Sequence, residues 1–137
     1  MAKDISEKSV GAAYAAWAPV YDLVFGKVFD TGRKASIAAA EKIGGRVLDV
    51  GVGTGISLPD YRRDIRLVGV DYSAAMLKKA FERVRDHKLD NVETLAVMDA
   101  KYLGFPDAAF DAVVAQYVVT AVPDPEATLD EFVRVVK

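Results

Sequence analysis

The segment VLDVGVGTG, residues 47–55, places three glycines at alternate positions directly after a short apolar run. Glycine loses more conformational entropy on folding than any other residue, so a cluster this dense indicates a backbone that turns sharply or approaches a ligand closely. A single glycine would be enough for an ordinary turn after a strand. The segment therefore predicts a buried strand that ends in a ligand-binding loop.

The rest of the sequence predicts an α/β protein. Short apolar runs rich in β-branched residues predict strands at 46–50, 65–71, 92–99 and 110–118, and helical spacing of apolar residues predicts helices at 33–43, 72–88 and 123–137. We read the order after the first helix as strand, helix, strand, helix, strand, strand, helix. Short connections in this order favour a Rossmann-like, mostly parallel sheet with helices on both faces.

The region before the first strand is interpreted as a helical cap. Ser6 to Lys42 reads as helices interrupted at Pro19, because proline is tolerated only in the first turn of a helix. We predict a cap facing a substrate or a membrane over residues 1–45, and a ligand-binding core over residues 46–137.

The cap carries aromatic side chains at near-helical spacing, namely Tyr14, Trp17, Tyr21 and Phe25. Aromatic faces attract sulfonium and quaternary ammonium groups, although burial against the sheet would explain the same pattern. Basic residues nearby (Lys27, Arg33 and Lys34) are suited to anionic lipid head groups, so the same segment could lie on a membrane surface.

Polar side chains stand at the carboxyl ends of the four predicted strands. They are Asp49, Asp71, Asp99 and the pair Gln116 and Tyr117. In parallel sheets ligands bind beyond these strand ends, so we expect the side chains to share a pocket.

The spacing of the acidic residues suits an adenosine-bearing ligand. Asp71 can accept hydrogen bonds from both ribose hydroxyls, and Asp99 can accept one from an exocyclic amine. Met76 can cover the base with an apolar contact. The same pattern also fits purely structural roles, because both aspartates could be helix N-caps and Met76 could belong to the core.

The glycine loop does not match the common phosphate-binding patterns. Ile56 stands where a dinucleotide fingerprint or a P-loop would continue, and residues 47–61 contain no cationic side chain. An acidic loop suits a positively charged ligand. The sequence thus favours S-adenosylmethionine, which carries an ammonium and a sulfonium.

Composition argues against several other classes of protein. The chain has no cysteine and a net charge of −2, which argues against a disulfide scaffold and against a whole-protein attraction to nucleic acid. No His, Asp and Glu cluster has metal-ligand spacing, so no metal is expected. The sequence shows no secretory signal and no long apolar run, and we expect a cytoplasmic protein.

The motifs as a set resemble those of class I S-adenosylmethionine-dependent methyltransferases. The matching stretches are VLDVGVGTG, VDYSAAML, MDAKYLGFPDAAFDAVV and DEFVRVVK, within residues 46–137. The earlier stretch YAAWAPVYDLVFGKVFDTGRKA resembles the N-terminal segment of bacterial phospholipid N-methyltransferases, which methylate phosphatidylethanolamine toward phosphatidylcholine. Similar segments precede the core of quinone-type C-methyltransferases.

The resemblance implies a set of donor-binding residues. The set is Tyr21, Asp49, Gly51, Gly53, Thr54, Gly55, Asp71, Tyr72, Ser73, Met76, Asp99, Ala100, Gln116 and Tyr117. By this likeness Asp49 would hold the amino end of the donor. Tyr72 and Met76 would flank the adenine, and Asp99 and Ala100 would face its edge.

The resemblance also implies where transfer occurs. Gln116 and Tyr117 would lie near the sulfonium, and Tyr21 would close over the donor. Tyr14 or Tyr21 would orient the acceptor amine, which makes these two tyrosines the candidate catalytic residues.

Members of this family continue past Lys137 into a Pro-Gly-Gly turn and three more strands, so we expect a C-terminally truncated sheet. Its fourth strand would be an apolar edge, suited to self-association or to another chain. The function expected is a peripheral phosphatidylethanolamine N-methyltransferase. The alternatives are a methyltransferase for a quinone or a soluble molecule, and a non-catalytic donor-binding module.

Overall fold

The computed structural model describes residues 30–116 and 122–137 of the chain. Its helices are α1 (Asp30–Ile43), α2 (Ala74–Asp86) and α3 (Pro125–Val135), and its strands are β1 (Arg46–Val50), β2 (Arg66–Asp71), β3 (Val92–Val97) and β4 (Ala112–Ala115). The helices predicted on either side of Pro19, with their aromatic residues, lie outside the described residues.

The strands form one sheet in the order β3-β2-β1-β4, and every neighbouring pair is parallel. The glycine-rich segment therefore follows an inner strand, as its apolar character predicts. In this register Asp49 of β1 stands opposite Gly69 of β2 and Val114 of β4. Within the described residues β4 lies at one end of the sheet, where the sequence predicts an edge. Self-association through this edge stays a prediction.

Helices cover both faces of the sheet, which confirms the predicted layering. One core cluster joins Val47 to Ile37 of α1 and Leu77 of α2. The other joins Leu48 to Val135 of α3. Because successive residues of a strand point to opposite faces, Asp49 shares the face of Val47, under α1 and α2.

Helix α1 begins earlier than predicted, at Asp30, and ends where the sequence indicates. Gly44 stops it with a φ of 77°, and its N–H group donates to the carbonyl of Ala40 at 2.9 Å. Ile37 and Ala40 are buried in the core, so this part of the predicted cap segment packs against the sheet. The division of the chain at residue 45 stays a prediction.

The prediction of a full helix between the first two strands is wrong. The connection contains only a 3-10 helix, Leu58–Asp60, with Pro59 in its first turn. Only Ile56 to Ile65 separate the glycine loop from β2, and the chain at Tyr61 is already extended. This stretch is too short to cross the sheet as an α-helix and return.

Two of the strands differ from their predicted bounds. β3 ends at Val97 instead of residue 99, and β4 begins at Ala112. Phe110 makes an isolated parallel bridge to Val136, and the end predicted for the fourth strand lies outside the described residues.

The long connection between β3 and β4 is fastened to α3 by one arginine. Arg134 donates to the carbonyl of Phe105 at 2.7 Å and to that of Leu103 at 2.8 Å. Its partner Glu131 accepts the N–H of Leu103 at 2.9 Å. These bonds satisfy backbone groups that have no strand partner, and they hold the connection against the last turn of α3.

We expect Leu48→Ala to lower the free energy of unfolding by about 2–5 kcal/mol, because Leu48 is fully buried in an inner strand and its truncation leaves a cavity. Urea unfolding measures the change. Leu129→Ala makes the same chemical change at a helix position that is 47% exposed, and it should stay within about 0.5 kcal/mol of the parent. Equal losses in the two variants would contradict the assigned core.

Candidate functional site

The glycine loop leaves β1 by crossing the end of β2. The N–H groups of Gly51 and Val52 both donate to the carbonyl of Val70, at 2.9 and 3.0 Å. Gly53 and Gly55 then adopt φ values of 57° and 75°, in the left-handed region where a side chain is strained. The dense glycine pattern is thus a backbone requirement of this loop.

Packing against α2 adds a second requirement at Gly55. A Cβ atom there would lie 2.9 Å from Leu58 Cδ1 and 3.1 Å from the Cβ of Ala80. The neighbouring carbonyl of Thr54 accepts a hydrogen bond from Arg83 Nε at 3.1 Å. Helix α2 therefore supports the loop from behind, and Thr54 itself is 1% exposed.

Asp71 connects the loop to the end of β2. Its Oδ2 accepts the N–H of Gly53 at 2.9 Å, and its Oδ1 accepts the N–H of Ser73 at 2.9 Å. Burial raises the pKa of Asp71, and these N–H bonds oppose the rise. The backbone N–H of Tyr72 also acts on this carboxylate and opposes the rise.

The N-cap interpretation of Asp71 is wrong, because Ser73 has that role for α2. The Ser73 hydroxyl accepts the N–H of Met76 at 3.2 Å. Asp71 is thereby left to support the loop. The buried hydroxyl of Ser73 is already used by the helix.

Asp49 is a buried carboxylate beside this loop, with 4% of its surface exposed. Its Oδ2 accepts a hydrogen bond from the Tyr61 hydroxyl at 3.2 Å. Burial, with a smaller contribution from the charge of Asp71, raises the pKa of Asp49 to about 7, although the Tyr61 hydrogen bond opposes the rise. Within the described residues no cationic side chain pairs with Asp49.

Asp99 and Ala100 lie just past the end of β3, at the same edge. The Oδ1 of Asp99 accepts the N–H of Lys101 at 2.9 Å, in a turn that does not start a helix. The N-cap interpretation is therefore wrong here as well. Ala100 packs against the core on the α3 face, and Met98 donates its N–H to the carbonyl of Asp71 at 3.0 Å.

Gln116 and Met76 differ in how much of each side chain a ligand can reach. Gln116 is partly exposed, and its Nε2 donates to the carbonyl of Arg33 at 3.2 Å, which brings the start of α1 to this edge. Met76 is 2% exposed, so core packing accounts for most of its surface. Tyr72, beside Asp71, is partly exposed. Tyr14, Tyr21 and Tyr117 lie outside the described residues.

Two residues of the site were missed by sequence reasoning. Tyr61 follows a 3-10 turn and Arg83 lies on a charged helix, so neither stands at a strand end. The residues next to a tyrosine that follows a proline turn do not indicate which side chain its hydroxyl will contact. In the described ranges, 30–116 and 122–137, no group of three or more His, Cys, Asp and Glu side chains is placed to hold a metal ion.

A glycine loop between two buried carboxylates, at the carboxyl edge of a parallel sheet, defines an α/β protein built to bind a nucleoside-type ligand. The methyltransferase domain family matches residues 48–137, and the chain belongs to this family. The match confirms the predicted Rossmann-like class and its S-adenosylmethionine cofactor at the level of the family.

The names of individual relatives indicate different methyl acceptors. The chain is 46% identical to a phosphatidylethanolamine N-methyltransferase of Cereibacter sphaeroides over 127 residues, which are 93% of this chain and 62% of the relative. It is 34% identical to a demethylmenaquinone methyltransferase of Thermobifida fusca over 141 residues, 98% of this chain and 59% of the relative.

Among solved structures, a SAM-dependent methyltransferase from Aquifex aeolicus superposes with a TM-score of 0.65 at 26% identity, over 74% of this chain and 58% of that one. The chain thus spans about three-fifths of the length of the curated relatives named here.

We expect Asp49→Asn to stabilise the ligand-free protein, and to do so more strongly at higher pH. The folded pKa of Asp49 is about 7 against 3.8 for the free group, so the folded state holds an extra proton between these values and loses stability as pH rises toward 7. The amide cannot ionise and still accepts the Tyr61 hydrogen bond. The advantage should grow by roughly 1.4 kcal/mol per pH unit between about pH 4 and pH 7, then level off.

Urea unfolding at several pH values measures this difference. Asp90→Asn is the matched control, because Asp90 is exposed and its variant should show no such pH dependence. An Asp49→Asn effect that does not change with pH would contradict the assignment.

Proposed function

We propose that this chain binds S-adenosylmethionine at the carboxyl edge of its sheet, and that the protein transfers the methyl group to the primary amine of phosphatidylethanolamine. The observation that carries the proposal is the pair of buried carboxylates, Asp49 and Asp71, on either side of the glycine loop. Buried acids without a cationic partner favour a ligand that brings positive charge.

The ammonium of the donor compensates Asp49, which has no cation beside it in the described part of the chain. The missing Cβ atoms at Gly51 and Gly53 let the methionine moiety approach the backbone. A phosphate ligand would instead meet two carboxylates and no cation from residue 47 to residue 61. The charge of the site thus favours a sulfonium donor over a nucleotide phosphate.

The adenosine moiety is proposed to lie along the ends of β2 and β3. Asp71 is held in place by the N–H groups of Gly53 and Ser73, so its carboxylate is preorganised to accept from the ribose hydroxyls. Tyr72 is the more accessible flank for the adenine, with Met76 beneath it contributing little surface.

Other residues of the proposed site complete the lining. Asp99 and Ala100 face the adenine edge, and Gln116 lies toward the sulfonium with its amide held by α1. The roles of Tyr14, Tyr21, Thr54 and Tyr117 rest on the family resemblance.

The transfer is an in-line displacement. The neutral amine nitrogen forms a bond to the methyl carbon as the carbon–sulfur bond breaks, and the amine proton leaves to solvent or to a nearby base. S-adenosylhomocysteine is the second product. Such a step depends on alignment and on exclusion of water, so it needs no metal and no covalent intermediate on the protein.

The identity of the acceptor is supported by the 46% identical relative that acts on phosphatidylethanolamine. The 34% identical quinone methyltransferase favours a second candidate, a prenylated quinone ring carbon. In the described part of the chain no helix is long and apolar enough to cross a membrane. We propose a peripheral contact through the basic and aromatic N-terminal segment.

Donor binding is tested by calorimetry. S-adenosylmethionine should bind the parent chain, and Asp71→Asn should weaken binding at least about tenfold because it removes a charge-assisted acceptor. Affinity should also fall about tenfold per pH unit below about pH 7, as Asp49 takes up its proton. Asp90→Asn should bind like the parent. Equal binding by Asp71→Asn would contradict the proposed ribose site.

Acceptor choice is tested by transfer of a labelled methyl group. The protein is offered phosphatidylethanolamine vesicles, phosphatidylcholine vesicles as the blank, and demethylmenaquinone in detergent. Label in the phosphatidylethanolamine headgroup is the expected result. Label only in the quinone would replace the first acceptor by the second.

A further inference from the structure

We infer that Tyr61 is a positioning residue that acts through Asp49: its hydroxyl stabilises the ionised Asp49 carboxylate, whose charge then meets the ammonium of the donor. This inference rests on the proposed function, and it adds a residue that lies outside the glycine loop and the strand ends.

Tyr61 reaches the site from within the core. It follows the 3-10 helix Leu58–Asp60 in an extended conformation, and only 2% of its surface is exposed. The residue belongs to the same core cluster as Ile37 and Ala40 of α1. Because its ring is fixed by this packing, its hydroxyl has little freedom, and the acceptor it finds is Asp49 Oδ2 at 3.2 Å.

A neutral hydrogen-bond donor suits this position better than a cation would. A lysine or arginine beside Asp49 would compensate the carboxylate and compete with the ammonium of the donor. The Tyr61 hydroxyl favours the ionised form without cancelling its charge. Asp49 Oδ1 accepts no hydrogen bond from the described residues, so it remains available to a ligand.

Among the described groups that act on Asp49, the Tyr61 hydroxyl is the one that favours the ionised carboxylate. From β2, Asp71 adds a repulsive charge, and from β4 the register places the apolar Val114 opposite. Burial raises the pKa of the Tyr61 hydroxyl, and the charge of Asp49 and, to a smaller extent, that of Glu41 of α1 add to the rise, so Tyr61 stays protonated and able to donate.

Loss of the hydroxyl should therefore change the pH dependence of donor binding as well as its strength. In Tyr61→Phe the ring still fills the core, while Asp49 loses the hydrogen bond that lowers its pKa. Asp49 should then ionise at a higher pH. The variant should bind the donor several-fold more weakly near about pH 7 and approach parental affinity near about pH 9, where Asp49 is ionised in both proteins.

Two measurements on the full chain test this inference. The carboxyl resonance of Asp49 is followed by NMR in carbon-13 aspartate-labelled protein without ligand, and is assigned by its loss in Asp49→Asn. S-adenosylmethionine affinity is measured by calorimetry over the same pH range. Tyr102→Phe is the matched control, because it removes a hydroxyl from a tyrosine that is 74% exposed and should change neither curve.

An upward shift of the Asp49 midpoint in Tyr61→Phe, with an affinity loss confined to lower pH, supports the inference. A loss that is equal at all pH values, or an unchanged midpoint, overturns it, because the hydroxyl would then not act through the ionisation of Asp49. If the parent chain itself binds no donor, the proposed function fails. In that case the NMR shift still reports separately whether Tyr61 controls Asp49.

Discussion

The carboxylate of Asp71 is the contact on which the arrangement of the site depends. It stands at the last position of β2 and accepts N–H groups from the glycine loop and from the turn before α2. One side chain thereby joins an inner strand, a loop that glycine makes intrinsically flexible, and the start of a helix. Without a buried acceptor at this point, the N–H groups of Gly53 and Ser73 would lose their partners, at a substantial free-energy cost.

This arrangement places two acids close together in a poorly solvated region. Burial raises the pKa of both, and the charge of Asp71 adds to the rise at Asp49, whose pKa reaches about 7. Such a site is destabilising for the empty protein, and a positively charged ligand relieves it. Binding energy is thus concentrated where the fold is electrostatically strained, which is typical of functional sites.

The packing around the site is correspondingly rigid. Gly55 fits between Leu58 and Ala80 with no room for a side chain, and Arg83 holds the Thr54 carbonyl from α2. On the opposite face, Arg134 fastens the connection that follows Asp99. The glycine loop, which would touch a ligand, is therefore supported by α2, and a loop that is already held in place lowers the entropic cost of binding.

Local pattern was enough to predict the strands, their mostly parallel direction and the helices on both faces, because periodicity and short connections are properties of neighbouring residues. The same reasoning predicted that Asp49, Asp71 and Asp99 lie at one edge, since the ends of parallel strands meet there. It was wrong about a helix between the first two strands, because a turn with Pro59 replaced it. It also assigned cap roles as alternatives that Ser73 and a simple turn exclude.

The sequence by itself thus determined the class of fold, the glycine loop and the acidic character of the site. Only the tertiary structure decided that Tyr61 meets Asp49, that Arg83 meets Thr54, and that Met76 is withdrawn into the interior. These contacts depend on how α1, α2 and the 3-10 turn pack onto the sheet. Packing brings together residues 12 and 29 positions apart, and no local pattern encodes which of them will touch.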